Sequence, residues 1–223
     1  MFAGPNGSGK STLKSYLPAA LLGVYLNPDE MEQEIRQQGF LDFTAYGVTT
    51  TADEVLPFFQ NSSFLGSAGC SEAARQLTFS QNRLEFGTVA VNSYLASVAS
   101  DFLRHKLLAQ QTSFTLETVM SHSSKVELLA QAQSAGYRTY LYFVATDDPA
   151  INISRVRSRV KLGGHAVPED KIVERYSRSL ALLMDAIRHS NRAYIFGLFW
   201  NSSGRFETAN RCLSPCLRVK TKL

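Results

Sequence analysis

Gly4-Pro5-Asn6-Gly7-Ser8-Gly9-Lys10-Ser11 decides the reading of this chain. It matches the pattern G-x-x-x-x-G-K-S/T. Glycines at this spacing let the backbone turn with N–H groups facing inward, a nest for phosphate oxygens. The helix that follows adds the partial positive charge of its N-terminus. Lys10 would bridge the β- and γ-phosphates of ATP or GTP, and Ser11 would offer a hydroxyl to Mg²⁺. The expected nucleotide-binding residues are Gly4, Asn6, Gly7, Ser8, Gly9, Lys10, Ser11 and Thr12. A glycine-rich turn without a ligand is the bland alternative. The apolar start before the motif and the helical run after it favour the phosphate loop.

Working outward, short apolar β-type runs alternate with helical patterns. That alternation predicts a three-layer α/β sandwich of the P-loop kind, with a mostly parallel five-stranded sheet. The strands are expected at Met1–Ala3, Gly23–Leu26, Ser113–Leu116, Thr139–Ala145 and Ala193–Phe196. Helices are expected from Lys10 to about Leu22, over Pro28–Gln38 behind an Asn27 cap, over Asn82–Gln111 and over Ser123–Ala135. Two more should run from Asp148-Pro149 to about Leu162 and from Pro168 to about His189. Residues 45–80 are Ser/Thr/Gly-rich and read as a loop with short helices. One domain over 1–223 is expected, with 45–110 a helical insertion near the substrate site and 150–180 a lid.

Composition removes several classes. The hydrophobic fraction of 44% and charged fraction of 19% belong to a globular chain, not a disordered one. The apolar runs are strand-length, far below the roughly 20 residues of a membrane span. No secretory leader is read at the start, and a cytoplasmic location is expected. Three cysteines, Cys70, Cys212 and Cys216, make no disulfide framework, and no further ligands suggest a metal at the last two. The net charge is +4, with a sequence pI near 9.0. Much of it sits in one place: between Ser154 and Arg178 there are seven basic residues and three acidic ones. Arg218, Lys220 and Lys222 form a second, terminal cluster.

Further residues carry chemistry. Asp29 follows a short strand, where an acid can accept the proton of an attacking hydroxyl; with Glu30 it could equally serve a helix first turn. Glu117 ends a β-type run, a position suited to a metal-binding acid, and Thr118 could touch substrate or nucleotide. Both could instead cap the next turn. Asp147 and Asp148 are rival metal ligands, but Asp148-Pro149 reads better as a helix start. Arg155 and Arg159 share a helix face. A Gly163-Gly164-His165 break follows, then Arg175. Two arginine-bearing helices joined by a flexible turn suit a lid over a triphosphate. A solvated face laced with ion pairs is the alternative, and Glu174–Arg178 is one such pair by spacing.

As a set, the loop, Asn27-Pro28-Asp29-Glu30, Leu116-Glu117-Thr118 and Arg155/Arg159…Gly163-Gly164-His165…Arg175-Tyr176 resemble zeta-toxin-like kinases, in particular their small ATP-binding branch. The resemblance runs from Phe2 to Phe196. It implies a P-loop kinase with Lys10 on the phosphates, Asp29 as general base, and Arg155, Arg159 and Arg175 as lid arginines. Ser11 and Glu117 would meet Mg²⁺, and Asp29, Glu117 and Thr118 the substrate. Better-known members phosphorylate a sugar hydroxyl of UDP-N-acetylglucosamine, and an antitoxin protein is an implied partner. The chain departs from the pattern over 45–110, and after the last strand it reads Ile195-Phe196-Gly197-Leu198-Phe199-Trp200-Asn201-Ser202 where relatives often carry Phe-Asp-Asn-Ser.

The expected activity is transfer of the ATP γ-phosphoryl group to a hydroxyl of a small metabolite, with a UDP-amino sugar as one acceptor. The alternatives are a nucleotide-binding ATPase or switch without an acceptor, and a nucleic-acid kinase using the basic lid and tail. The lack of an RNA-binding motif or an aromatic-interleaved basic patch argues against nucleic acid as partner.

Overall fold

The computed structural model describes residues 1–164, 166–200 and 206–213. In chain order the strands are β1 (Phe2–Ala3), β2 (Val24–Leu26), β3 (Phe40–Asp42), β4 (Thr78–Ser80), β5 (Arg83–Glu85), β6 (Phe114–Thr118), β7 (Tyr140–Thr146), β8 (Arg192–Trp200) and β9 (Phe206–Leu213). The helices are α1 (Lys10–Lys14), α2 (Ala19–Leu22), α3 (Pro28–Gln38), α4 (Ala52–Gln60), α5 (Ser63–Ser67), α6 (Ser71–Arg75), α7 (Ser93–Ala109), α8 (Ser124–Ser134), α9 (Pro149–Lys161), α10 (Glu169–Ala181) and α11 (Leu183–Arg188). The chain divides into two compact units, Met1–Pro18 with Glu117–Leu223, and Ala19–Leu116.

In the first unit β1 pairs in parallel with the end of β6 and with β7, β7 pairs in parallel with β8, and β9 runs antiparallel to β8. In the second, β2 pairs in parallel with Phe114–Leu116 of β6. The hydrogen-bonded order is β2-β6-β1-β7-β8-β9. The α/β sheet is thus mostly parallel, as the sequence predicts, with antiparallel β9 added beyond the five expected strands. Alternation along β7 divides its side chains. Leu141 and Phe143 bury with Ala3, Ala193, Met120, Val126, Leu129 and Ala186. Tyr142, on the opposite face, meets Phe2 at 5.2 Å and stacks on Tyr194 at 5.0 Å between ring centroids.

Three local expectations change. The helix expected from Lys10 to Leu22 is broken into α1 and α2, because Pro18 has no N–H and its ring would collide with the Lys14 carbonyl. β6 runs two residues further than expected, so Glu117 and Thr118 are strand residues paired with Phe2 and Ala3. Residues 82–111 are not one helix: Arg83–Glu85 is a strand and α7 starts at Ser93.

The second unit also holds a small antiparallel sheet, β3-β5-β4. Its β4–β5 turn places Gln81 and Asn82 at φ 49° and 60°, the left-handed pair of a tight hairpin. The Asn82 side chain then fastens the preceding loop, donating to Val48 O at 2.8 Å and accepting from Thr50 N at 3.0 Å. Met31 and Ile35 of α3, Val55 and Phe59 of α4, and Leu95, Phe102 and Leu103 of α7 are buried in this unit. Among the described residues no helix is long and apolar enough to cross a membrane.

Candidate functional site

The Gly4–Ser11 loop leaves the sheet after Ala3. Gly4, Gly7 and Gly9 hold φ of 141°, 72° and 104°, which side chains resist. A Cβ on Gly4 would lie 2.1 Å from Val144 O, and one on Gly7 2.7 Å from Asn152 O and 3.2 Å from Val156 Cγ2. Glycine at both positions lets the loop lie directly on β7 and α9.

Lys10 is 8% exposed and donates from Nζ to the Gly4 and Pro5 carbonyls at 2.8 and 3.0 Å. An ammonium taken out of water requires oxygen acceptors, and charged phosphate oxygens are stronger ones than carbonyls. Two more loop atoms, Asn6 Oδ1 and Ser8 Oγ, are buried with no hydrogen-bond partner among the described residues. Buried polar atoms are nearly always partnered, so the two orphans fit a loop built around a polar ligand. The Ser8 hydroxyl has a proton to give to a phosphate oxygen.

Ser11 Oγ donates to Glu117 Oε1 at 3.4 Å. Glu117 is 9% exposed. A hydroxyl and one carboxylate beside a phosphate nest fit Mg²⁺, which keeps several waters and takes few protein ligands. Among the described residues no group of three or more His, Cys, Asp or Glu could hold a metal, and a magnesium shared with phosphates needs none. Thr118 Oγ1 accepts from Met120 N at 3.0 Å, where Met120 turns to φ 54°. Asp148 caps α9, accepting from Ala150 N at 2.7 Å, so that carboxylate is engaged as a helix start.

The root of α9 rests on the loop. Arg155 Nη1 approaches the Gly7 and Ser8 carbonyls at 3.4 and 3.3 Å, and burial draws its pKa down from the ordinary arginine value. Arg159 lies one turn further, exposed, with its carbonyl accepting from Gly164 N at 2.9 Å. Arg178 pairs with Glu174, as their four-residue spacing suggests, and Arg157 pairs with Glu169; both are surface ion pairs. Arg175 is half-buried on α10, next to Tyr176, whose hydroxyl donates to Thr146 O at 2.7 Å. Burial first, then the charges of Asp147 and Asp148, push the Tyr176 phenol up.

The first unit therefore brings together the loop, Ser11, Glu117 and Arg155. Asp29 belongs to the second unit, exposed in the first turn of α3, with its N–H on the Asn27 cap at 3.0 Å. His165, Asn201, Ser202, Cys216, Arg218, Lys220 and Lys222 lie outside the described residues. Sequence reasoning passed over Asn152 and Thr146, which are 0% and 4% exposed. The available signal was a polar Asn152 on the same helical stripe as Val156, four residues on.

The zeta toxin family model matches residues 91–193, a span holding Glu117, Thr118 and the arginine-bearing helices. An uncharacterized protein of Haemophilus influenzae is 31% identical over 74 residues, 33% of this chain and 53% of that protein. Crystal structures of the AvrRxo1-ORF1:AvrRxo1-ORF2 complex with sulphate ions and with ATP are similar in fold, each with a TM-score of 0.52, at 13% and 14% identity. Both likenesses cover 93% of this chain and 56% of the other. The chain thus spans about half the length of the proteins it matches. The chain is thus similar to the zeta toxin family over residues 91–193, less than half of its length, and shares its fold with the AvrRxo1 complex structures.

Proposed function

We propose that the protein is an ATP-dependent phosphotransferase that moves the γ-phosphoryl group to a hydroxyl of a small metabolite. The observation that carries this reading is the phosphate loop: glycines pressed to β7 and α9, a buried Lys10 ammonium, and two orphaned polar atoms. The ATP-bound AvrRxo1 complex supports ATP as the nucleotide. A UDP-amino sugar is the acceptor class that the resemblance to zeta toxins favours.

In this proposal Gly4, Asn6, Gly7, Ser8, Gly9, Lys10, Ser11 and Thr12 hold the phosphates. Ser11 and Glu117 would hold Mg²⁺, which supplies charge neutralisation on the phosphates when bound. Lys10 and the lid arginines Arg155, Arg159 and Arg175 would meet the charge that develops on the transferred group. Asp29 would take the proton of the acceptor hydroxyl as the new O–P bond forms and the bond to the β-phosphate oxygen breaks, leaving ADP. Thr118 would contact substrate. The assignment of Asp29 rests on its place after β2 and on the family pattern. An antitoxin that covers the nucleotide site, and a cytoplasmic location, belong to the same proposal; the ORF2 partner of the AvrRxo1 crystals is a parallel for the former.

The test is release of ADP from Mg·ATP, with and without UDP-N-acetylglucosamine, for wild type and Asp29→Ala. Sugar-stimulated turnover that disappears in Asp29→Ala is the expected result. Turnover indifferent to both the sugar and Asp29 would replace the kinase reading with an acceptor-free ATPase or switch.

A further inference from the structure

A run of hydrogen bonds connects the phosphate loop to both arginine-bearing helices. The Asn152 Nδ2 donates to the Asn6 carbonyl at 2.6 Å, and its Oδ1 accepts from the Thr146 hydroxyl. Only the amide NH₂ can donate to a carbonyl, so the neighbours fix which way the Asn152 amide faces. Thr146, at the end of β7, continues the run, because its own carbonyl accepts from the Tyr176 hydroxyl of α10 at 2.7 Å. Ser179, one turn along α10 and 0% exposed, donates to Val119 O at 2.8 Å. α10 is thereby fastened just at the end of β7 and just past the end of β6, with Arg175 beside the first attachment.

We propose that Asn152, Thr146 and Tyr176 are positioning residues: a relay that sets the shape of the phosphate loop and holds α9 and α10 in register with it. The peptide bond is planar and trans, so its C=O and N–H point opposite ways. Holding the Asn6 carbonyl toward α9 turns the Gly7 N–H away from that helix, as a phosphate nest needs. Cutting one link leaves a buried donor or acceptor unpaired, so the arrangement resists partial opening. None of the three is assigned contact with substrate. The consequence for turnover rests on the nucleotide reading above; the linkage itself is a property of the ligand-free chain.

The test compares wild type, Thr146→Val, Thr146→Ser and Tyr176→Phe by two measurements. Amide hydrogen exchange is read on the ligand-free protein, and Mg·ATP affinity and turnover are read by titration and ADP release. Thr146→Val keeps the shape and removes the hydroxyl. It should speed exchange in residues 4–11 and in α9 about tenfold and weaken Mg·ATP binding by about the same factor, the worth of one buried hydrogen bond. Thr146→Ser should restore both. Tyr176→Phe should speed exchange in α10 alone and lower kcat about tenfold, with the ATP Kd within about twofold. Wild-type exchange in Thr146→Val, or a Thr146→Ser variant as impaired as Thr146→Val, would overturn the relay, the latter by showing that packing alone matters. Failure of the wild type to bind ATP would overturn the nucleotide reading instead, and the exchange comparison would still decide the relay.

Discussion

The two ends of α9 are held in opposite ways. At its root, Asn152 and Val156 are buried, the Gly7 backbone lies against both, and Arg155 reaches the Gly7 and Ser8 carbonyls. At its tip, Arg157, Arg159, Lys161 and Leu162 are exposed, and Leu162 keeps 89% of its surface. The root is short-range and desolvated, so its hydrogen bonds act at low dielectric. Charges at the tip are screened by water and salt. The helix therefore has one end fixed against the Gly4–Ser11 loop and one end left charged and in water.

Substitutions at the two ends sharpen that contrast. The largest effect is expected from Gly7→Ala, whose Cβ would press on the Asn152 carbonyl in a backbone conformation at φ 72°. Stability should fall by about 2–3 kcal/mol and ADP release should drop to background; thermal unfolding and turnover read the two. Next comes Arg155→Ala against Arg159→Ala. Removing Arg155 takes away both a charge and a support of the loop, so kcat/KM should fall about 10²-fold, against about tenfold for Arg159, mostly in kcat. Equal losses would erase the distinction between root and tip. Asp148→Ala removes the cap that starts the root and should cost about 1 kcal/mol in thermal unfolding. Arg157→Ala breaks only the exposed pair with Glu169, and stability should change by less than about 0.5 kcal/mol with turnover unaltered.

The same contrast shows what was legible in the sequence. The tight turn at Gly4–Gly9 was readable because its glycines answer to backbone geometry: at Gly4 and Gly7 a side chain would meet another backbone segment. Ion pairs at four-residue helical spacing, such as Glu174–Arg178, were readable for a similarly local reason. The root of α9 was not. Asn152 bonds a carbonyl 146 residues away, and a backbone carbonyl leaves no trace in residue identity. The β3-β5-β4 sheet escaped because its strands are three residues long and its hairpin turns on Gln81-Asn82 without a glycine. The break in the helix after the loop was written plainly in Pro18, whose effect on Lys14 outweighs the apolar pattern through Leu22. Glu117 and Thr118 were placed one step outside their strand, because pairing with Phe2 and Ala3 of β1, not local propensity, carries β6 to Thr118.

Calorimetric titration of Mg·ATP into wild type and Lys10→Ala shows whether Gly4–Ser11 binds the phosphates of a nucleoside triphosphate. Saturable binding at one site is expected in the wild type, with an affinity at least about 10²-fold weaker in a folded Lys10→Ala protein. Equal affinity in the two proteins, or no binding in the wild type, would contradict it.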